Sequence, residues 1–129
     1  MSPKIFAKSV DLTFLTNDGP VDALKDVNLD INEGDFVSFI GPSGCGKTTF
    51  LRVLADLESP TGGTVQINGV SPKIARESRA YGYVFQAPGL YPWRTIAKNI
   101  KLPLEIIGLS KQEQNERVER VLKLVDLQD

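Results

Sequence analysis

The sequence predicts an α/β domain with a side sheet of strands and a helical appendage. Three observations point to this class. Strand-like segments dominate the N-terminal third, a glycine-rich turn then joins an apolar segment to a helix with one apolar face, and further strand-like residues give way to helices. The 129 residues fit one ordinary domain.

The N-terminal segments have strand patterns. Residues 5–14 are rich in β-branched and aromatic side chains, which predicts a strand with an irregularity midway, and the NDGP sequence at 17–20 predicts a turn. Residues 27–31 alternate apolar and polar side chains, as a strand with one solvated face does. After a turn at 32–35, the nearly continuous apolar segment FVSFI at 36–40 predicts a strand covered on both faces.

The middle of the chain alternates between helix and strand signals. A helix is predicted from about Gly46 to Leu57, and a loop at 59–63 follows it. Residues 64–69 predict a short strand that enters a tight Asn-Gly turn, and 81–85 (YGYVF) predict another strand. The apolar side of the predicted helix consists of Phe50, Leu51, Leu54 and Leu57.

The C-terminal third has helix signals. Thr95 can cap a short helix over 96–102, which Pro103 is expected to end or kink. Ser110 and Glu113 have the spacing of a capping box at the start of a last helix. The apolar stripe predicted for this helix consists of Val118, Val121, Leu122 and Val125.

The amino-acid composition argues against several classes of protein. The chain has 15 lysines and arginines against 16 aspartates and glutamates, so it has no basic field for nucleic acid. Its one cysteine allows no internal disulfide, and no apolar run suits a membrane span or a signal peptide. We therefore expect a soluble, intracellular chain. Because it has no histidine, any imidazole chemistry must come from another chain.

The turn between 36–40 and the first helix matches the spacing GxxxxGK[ST] of a P-loop, with Gly41, Gly46, Lys47 and Thr48 at the defining positions. Glycine lets backbone N–H groups converge on phosphate oxygens, and the helix adds its positive N-terminal end. Lys47 can contact the β- and γ-phosphates, the Thr48 hydroxyl can ligate Mg²⁺, and Thr49 is a candidate α-phosphate contact.

The alternative is a glycine-rich turn that only links strand to helix. A lysine at a helix start opposes the helix dipole, which favours an anion site over this alternative. Cys45 is interpreted as a small adaptable side chain in preference to a redox group. The predicted nucleotide-binding residues of the loop are Gly41, Pro42, Ser43, Gly44, Cys45, Gly46, Lys47, Thr48 and Thr49.

The segments GPSGCGKTTFLRVLADLESPTGGTVQING and YGYVFQAPGLYPWRTIAKNI together resemble the ATP-binding subunit of an ABC transporter. The P-loop alone also suits kinases and GTPases, but GYVFQ with SPTGGTVQING before it is more specific. The resemblance implies a P-loop NTPase of the ABC ATPase type, with a RecA-like core, an antiparallel β subdomain and the start of a helical subdomain. It places the β subdomain and P-loop core at 1–86, and the Q-loop and helical start at 87–129.

The resemblance also implies roles for single residues. Phe14 lies where an aromatic ring stacks on adenine, although a core phenylalanine is nearly as good an interpretation. Gln86 matches the Q-loop glutamine, a ligand of Mg²⁺ and of the attacking water, and is expected to act in catalysis with Lys47. Trp93 and Arg94 fall where the helical subdomain meets a permease. Together with Pro92 they resemble importers of nitrate, sulfonates, taurine, bicarbonate or thiamine-type precursors.

The pattern of the family continues with elements that residues 1–129 lack: a signature motif, a Walker B strand and a switch histidine. Residues 107–114 (IGLSKQEQ) have no paired glycines. The apolar positions of 121–126 (VLKLVD) fit a helix, so Asp126 is not taken as a Walker B carboxylate. The sequence therefore resembles the N-terminal part of the ATPase domain, incomplete at the C-terminus.

The resemblance implies an importer subunit that binds Mg²⁺-ATP, pairs as a homodimer and hydrolyses ATP to drive a membrane permease. A solute-binding protein belongs to such systems, and the ATPase lies in the cytoplasm at the inner face of the membrane. Without the missing motifs, this chain alone is expected to bind nucleotide weakly and to hydrolyse it negligibly.

Two other functions stay open from the sequence. One is a non-catalytic nucleotide-binding or interaction fragment, which ATP turnover would distinguish. The other is a soluble P-loop ATPase that acts on nucleic acid. The balanced charge and the permease-facing LYPWRT segment argue against the second, and a DNA-stimulated ATPase assay would decide it.

Overall fold

The computed structural model describes residues 2–128. It divides into two compact units, one that extends to Tyr83 and one that starts at Val84. None of the helices in the described range is both long and apolar enough to cross a membrane. In chain order, the elements of these residues are β1 (Ile5–Thr16), β2 (Gly19–Ile31), α1 (Lys47–Leu54), β3 (Gly62–Ile67), α2 (Pro72–Glu77), α3 (Ile96–Ile106) and α4 (Lys111–Leu124).

The strands form one antiparallel sheet in the order β2-β1-β3. The strands predicted at 5–14, 27–31 and 64–67 lie within β1, β2 and β3, so these predictions are confirmed. The predicted irregularity of the first strand is also confirmed. Register shifts interrupt the β1–β2 pairing, and Ser9 and Asp26 have positive φ angles of 48° and 46°.

Side chains satisfy the backbone where the β1–β2 ladder breaks. The Ser9 N–H donates to Asn28 Oδ1 at 2.9 Å, and the Asp26 N–H donates to Asp11 Oδ1 at 2.7 Å. The bulges therefore retain hydrogen-bonded donors, and the sheet keeps one apolar face for the core.

That apolar face packs against α1. The rings of Phe39 and Phe50 meet edge to face with centroids 5.8 Å apart, and Val10 and Val53 are the largest fully buried side chains. The buried cluster consists of Ala7, Val10, Leu12, Leu24, Phe50, Val53, Leu54, Val65, Ile67 and Ala75.

The predicted face of the first helix is partly wrong. Phe50, Val53 and Leu54 are buried, whereas Leu51 and Leu57 are exposed. The helix ends at Leu54, so Leu57 lies beyond it, and burial follows the i, i+3, i+4 spacing from Phe50.

Two predicted strands are wrong. Residues 36–40 and 81–85 adopt no strand, and Phe36 and Ile40 are 96% and 94% exposed. A strand needs a neighbour to share its ladder, and no strand of the described residues pairs with 36–40. An apolar pattern therefore indicates that a segment tends to be buried, but it does not show which neighbouring strand would pair with it.

Helix α2 was not predicted. Ser71 caps it by accepting a hydrogen bond from the Ile74 N–H at 3.4 Å, and Pro72 occupies its first turn. The Ser-Pro pair is a helix-start signal that could have located this helix.

In the second unit, α3 packs against α4. The predicted caps are confirmed: Thr95 accepts from the Lys98 N–H, and Ser110 and Glu113 bond reciprocally. The hydrogen bonds from Ser110 lower the pKa of Glu113. Pro103 was expected to end or kink the helix; the first alternative is wrong, because α3 continues to Ile106.

The predicted stripe of the last helix is only partly buried. Val118 is buried, Leu122 is intermediate, and Val121 and Val125 are exposed. Residues 121–124 are helical, which confirms that VLKLVD is not a strand.

Gly63 sets the spacing between β3 and the bulge in β1. Its φ is +84°, and an added Cβ would lie 2.2 Å from the Ser9 carbonyl oxygen. We expect Gly63→Ala to lower the free energy of unfolding by roughly 2–4 kcal/mol, because backbone must move. Gly69→Ala is the matched control, since its φ is +76° and nothing lies within 4 Å of its Cβ position. Equal losses in urea unfolding would refute the steric explanation.

Candidate functional site

The glycine-rich loop spans residues 41–46, between the segment 36–40 and α1. It folds into a turn in which the Cys45 N–H donates to the Pro42 carbonyl at 3.3 Å. Gly44 and Gly46 have φ angles of 79° and 97°, in the left-handed region that favours glycine. Pro42, Ser43, Gly44 and Cys45 are exposed.

Gly46 brings the start of α1 against strand β2. A Cβ on Gly46 would lie 2.7 Å from the Ala23 carbonyl oxygen and 2.9 Å from Leu24 Cδ2. The β1–β2 pairing skips Ala23, which is an extra residue between Asp22 and Leu24. A bulge in β2 and the missing side chain of Gly46 together determine where the loop meets the sheet.

The N-terminal end of α1 is open to an anion. Its N-cap is Gly46, which offers no side chain to the first backbone N–H groups, and its first turn contains no acidic residue. The first N–H groups of a helix have no partner within the helix, and their dipoles favour negative charge. The sequence therefore leaves this helix end to an external acceptor such as a phosphate.

Lys47 folds back over the loop. Its Nζ donates to the carbonyl oxygens of Gly41 at 2.6 Å and Pro42 at 2.8 Å, and lies 3.3 Å from Cys45 Sγ. Gly41 is itself close to this group, because a Cβ there would lie 2.9 Å from the Cys45 sulfur. The ammonium group thus holds both ends of the loop together at the helix end where the anion would bind.

Thr48 and Thr49 follow in the first turn of α1, Thr48 exposed and Thr49 half-buried. Within the described residues, no hydrogen bond engages the Thr48 hydroxyl. A hydroxyl oxygen beside a phosphate site suits Mg²⁺, which prefers oxygen ligands and retains waters. The residues present therefore fit a phosphate group with an associated Mg²⁺, to which the Thr48 hydroxyl could contribute an oxygen.

Phe14 lies near the end of β1, where it pairs with Val21 of β2. Its side chain is 38% exposed and does not belong to the buried cluster. Val21 precedes Ala23 by two positions, about 7 Å along a strand. An accessible aromatic ring therefore lies on the strand pair that also supports Gly46.

Gln86, Trp93 and Arg94 belong to the second unit. Gln86 is exposed in an irregular segment. Trp93 is 77% exposed, with its ring 4.9 Å from the Tyr91 ring, and Arg94 Nη2 lies 2.9 Å and 3.1 Å from the two Glu105 carboxylate oxygens.

Sequence reasoning missed the residue that fixes this turn. The Asn99 side chain accepts from the Tyr91 N–H at 2.8 Å and donates to the carbonyls of Tyr91, Arg94 and Thr95, each at 3.1 Å. No local pattern marks Asn99, since its partners lie four to eight positions away. Trp93 is thus presented on an ordered turn.

The GxxxxGK[ST] loop, its uncapped helix and the α/β context define a P-loop domain. A sequence model of the family described as ABC transporter matches residues 24–129. This chain belongs to the ABC transporter family.

Relatives of known sequence agree with this family. An uncharacterized ABC transporter ATP-binding protein of Methanocaldococcus jannaschii is 40% identical over 128 residues, 99% of this chain and 47% of that protein. The maltose/maltodextrin import ATP-binding protein MalK of Mannheimia succiniciproducens is 44% identical over 114 residues, 84% of this chain and 30% of that protein. The spermidine/putrescine import ATP-binding protein PotA of Pseudomonas aeruginosa is 43% identical over 112 residues, 86% and 31% of the two chains.

The fold is similar to that of solved cassettes. A dimeric structure of a post-hydrolysis state of the ATP-binding cassette MJ0796, bound to ADP and Pi, superposes with a TM-score of 0.80 at 36% identity. The match covers 95% of this chain and 57% of that chain. The predicted fold class, the N-terminal part of an ABC ATPase, is therefore confirmed, and the chain spans about half the length of its cassette relatives or less.

Proposed function

We propose that this chain binds Mg²⁺-ATP through residues 41–49 as the N-terminal part of the ATPase of an ABC importer. The observation that carries this proposal is the combination at the start of α1. The helix end has no side-chain cap and no acidic residue, and Lys47 holds its ammonium group over the same loop. A cation beside uncapped N–H groups suits an anion such as a polyphosphate.

In the proposed complex, the amides of 43–49 donate to the β- and α-phosphate oxygens. The Lys47 ammonium contacts the β- and γ-phosphates, and the Thr48 hydroxyl provides an oxygen atom for Mg²⁺. A second oxygen from Gln86 is proposed from its match to the Q-loop motif alone. The metal, when bound, neutralises charge on the phosphate oxygens and orients the γ-phosphate for in-line attack by water. Lys47 stabilises the charge that develops, and Gln86 orients the water.

Hydrolysis and transport are proposed for the assembly in which this chain works. Two ATPase subunits are proposed to pair as a homodimer. The dimeric form of the MJ0796 cassette supports this pairing. The signature motif, the Walker B carboxylates and the switch histidine, absent from residues 1–129, complete the site. Importer relatives such as MalK and PotA support a coupling to uptake.

The permease contact is proposed at 86–94, where Trp93 stands exposed on the turn that Asn99 holds. Exposed aromatic residues on ordered backbone suit a protein interface. The assembly then lies at the cytoplasmic face of the membrane, with a solute-binding protein as a further component. Membership of the nitrate, sulfonate, taurine or bicarbonate importer subfamily is proposed from Pro92, Trp93 and Arg94, without a choice of solute.

Labelling of Cys45 tests the nucleotide site. It is exposed, and the sequence has no other cysteine, so a maleimide reports on the loop alone. We expect saturating Mg²⁺-ATP to slow labelling several-fold, because the nucleotide covers the loop. Lys47→Ala is the control variant, in which we expect ATP to have no effect on the rate of Cys45 labelling. A labelling rate that ATP leaves unchanged would contradict the proposed site.

Phe14→Ala tests the adenine contact. We expect the affinity for ATP to fall by roughly 1–3 kcal/mol, the worth of stacking a base on an aromatic ring, while the affinity for free triphosphate stays the same. Leu15→Ala is the control, since Leu15 is an exposed apolar neighbour on the same strand. An equal loss of affinity for ATP and for free triphosphate would indicate that Phe14 supports the fold and does not contact adenine.

A further inference from the structure

The C-terminal end of α1 is held by side chains that the nucleotide site does not use. Ala55 is buried, and its carbonyl oxygen accepts a hydrogen bond from the Tyr81 hydroxyl at 2.5 Å. The next residue, Asp56, has a φ of +51°, and its carboxylate accepts from Arg76 Nε at 2.8 Å. Burial raises the pKa of Tyr81.

The opposite end of the helix is held by close contact. The Gly46 backbone lies against Ala23 and Leu24, with no room for a Cβ. Between these ends, α1 is attached to the sheet through its buried apolar face. Apolar packing is non-directional. It therefore determines which face of α1 is buried, but it resists sliding of α1 along its own axis less strongly. The Tyr81 hydrogen bond is directional and supplies that constraint.

We propose that Tyr81, assisted by Arg76, is a positioning residue for the nucleotide loop. The inference rests on the proposed function. Helix α1 has only eight residues, about 12 Å, so a displacement at Ala55 is transmitted to Lys47 and Thr48. Binding groups must be held within about 0.5 Å of their productive positions. The Tyr81 hydroxyl therefore sets where the ammonium and hydroxyl groups of the loop meet the phosphates.

Tyr81→Phe removes the hydroxyl and keeps the ring. We expect it to weaken binding of Mg²⁺-ATP by up to about tenfold, the worth of one net hydrogen bond, when measured well below the unfolding temperature. In the nucleotide-free chain it should also shift the amide resonances of residues 46–49.

Ser78→Ala is the matched control. The Ser78 hydroxyl donates to the Ala75 carbonyl at 3.1 Å at the end of α2, so its loss also removes one hydroxyl hydrogen bond but does not touch α1. We expect it to lower stability without changing the affinity for ATP or the loop resonances. A Tyr81→Phe chain that is less stable, yet has unchanged ATP affinity and unchanged loop resonances, would overturn the inference.

The two readouts separate this inference from the proposed function. If the wild-type chain fails to bind Mg²⁺-ATP, the proposed function is wrong, and the loop resonances still decide whether Tyr81 positions the loop. If Tyr81→Phe does not fold, Arg76→Gln removes the second, more exposed contact. Loop resonances that stay in place in Arg76→Gln would then overturn the inference.

Discussion

We expect the Lys47→Ala chain to bind Mg²⁺-ATP roughly 10- to 100-fold more weakly than the wild-type chain, since charge-assisted hydrogen bonds to phosphate are lost. The variant also loses the bonds from Nζ to the carbonyls of Gly41 and Pro42, so the loop loses its internal tie. Titration with a fluorescent ATP analogue measures the effect.

Lys73→Ala is the control for this experiment. Lys73 is an exposed lysine of α2 in the same structural unit. Its substitution by alanine removes the same charge from a residue outside the loop. Its affinity for the analogue should equal that of the wild type. Tight binding by Lys47→Ala would refute the assignment of the P-loop.

Gly46→Ala is expected to be the most damaging single change at the site. At φ +97° the new Cβ would lie 2.7 Å from the Ala23 carbonyl oxygen, which is backbone and cannot rotate away. The start of α1 must then separate from β2. We expect a loss of roughly 3 kcal/mol or more in the free energy of unfolding, together with loss of ATP binding.

Gly108→Ala distinguishes this clash from simple backbone strain. Gly108 has a φ of +79°, nothing lies within 4 Å of its Cβ position, and it is outside the nucleotide loop. We expect a loss of about 1–2 kcal/mol there, with ATP binding intact. Equal losses of stability in the two alanine variants, with ATP binding retained in both, would contradict the claim that close packing of Gly46 on β2 is required for ATP binding.

Features that depend on neighbouring residues were predictable from the sequence. The caps at Thr95 and Ser110, the Asn-Gly turn and the GxxxxGK[ST] loop depend on residues within a few positions of each other. The strand status of 36–40 was not predictable, because it depends on a neighbour in space. Leu57 was assigned to the face of α1 because the helix was assumed to reach it, whereas the helix ends at Leu54 and Asp56 beyond it has a positive φ of 51°.

The candidate site shows the same limit. The identities of Gly41, Gly46, Lys47 and Thr48 follow from spacing alone. The return of Lys47 to its own loop does not, because its partners are the backbone carbonyls of Gly41 and Pro42, which no side-chain pattern marks. The Tyr81 hydroxyl reaches Ala55 across 26 positions, and no sequence pattern encodes such a contact.

The most direct test of the nucleotide site is a titration of the ¹⁵N-labelled chain with Mg²⁺-ATP, followed through the backbone amide resonances. Binding of phosphate by the loop predicts saturable shifts concentrated at residues 43–49, which are absent in Lys47→Ala. Shifts centred elsewhere, or shifts at 43–49 that persist in Lys47→Ala, would contradict the central claim that this loop is the phosphate site.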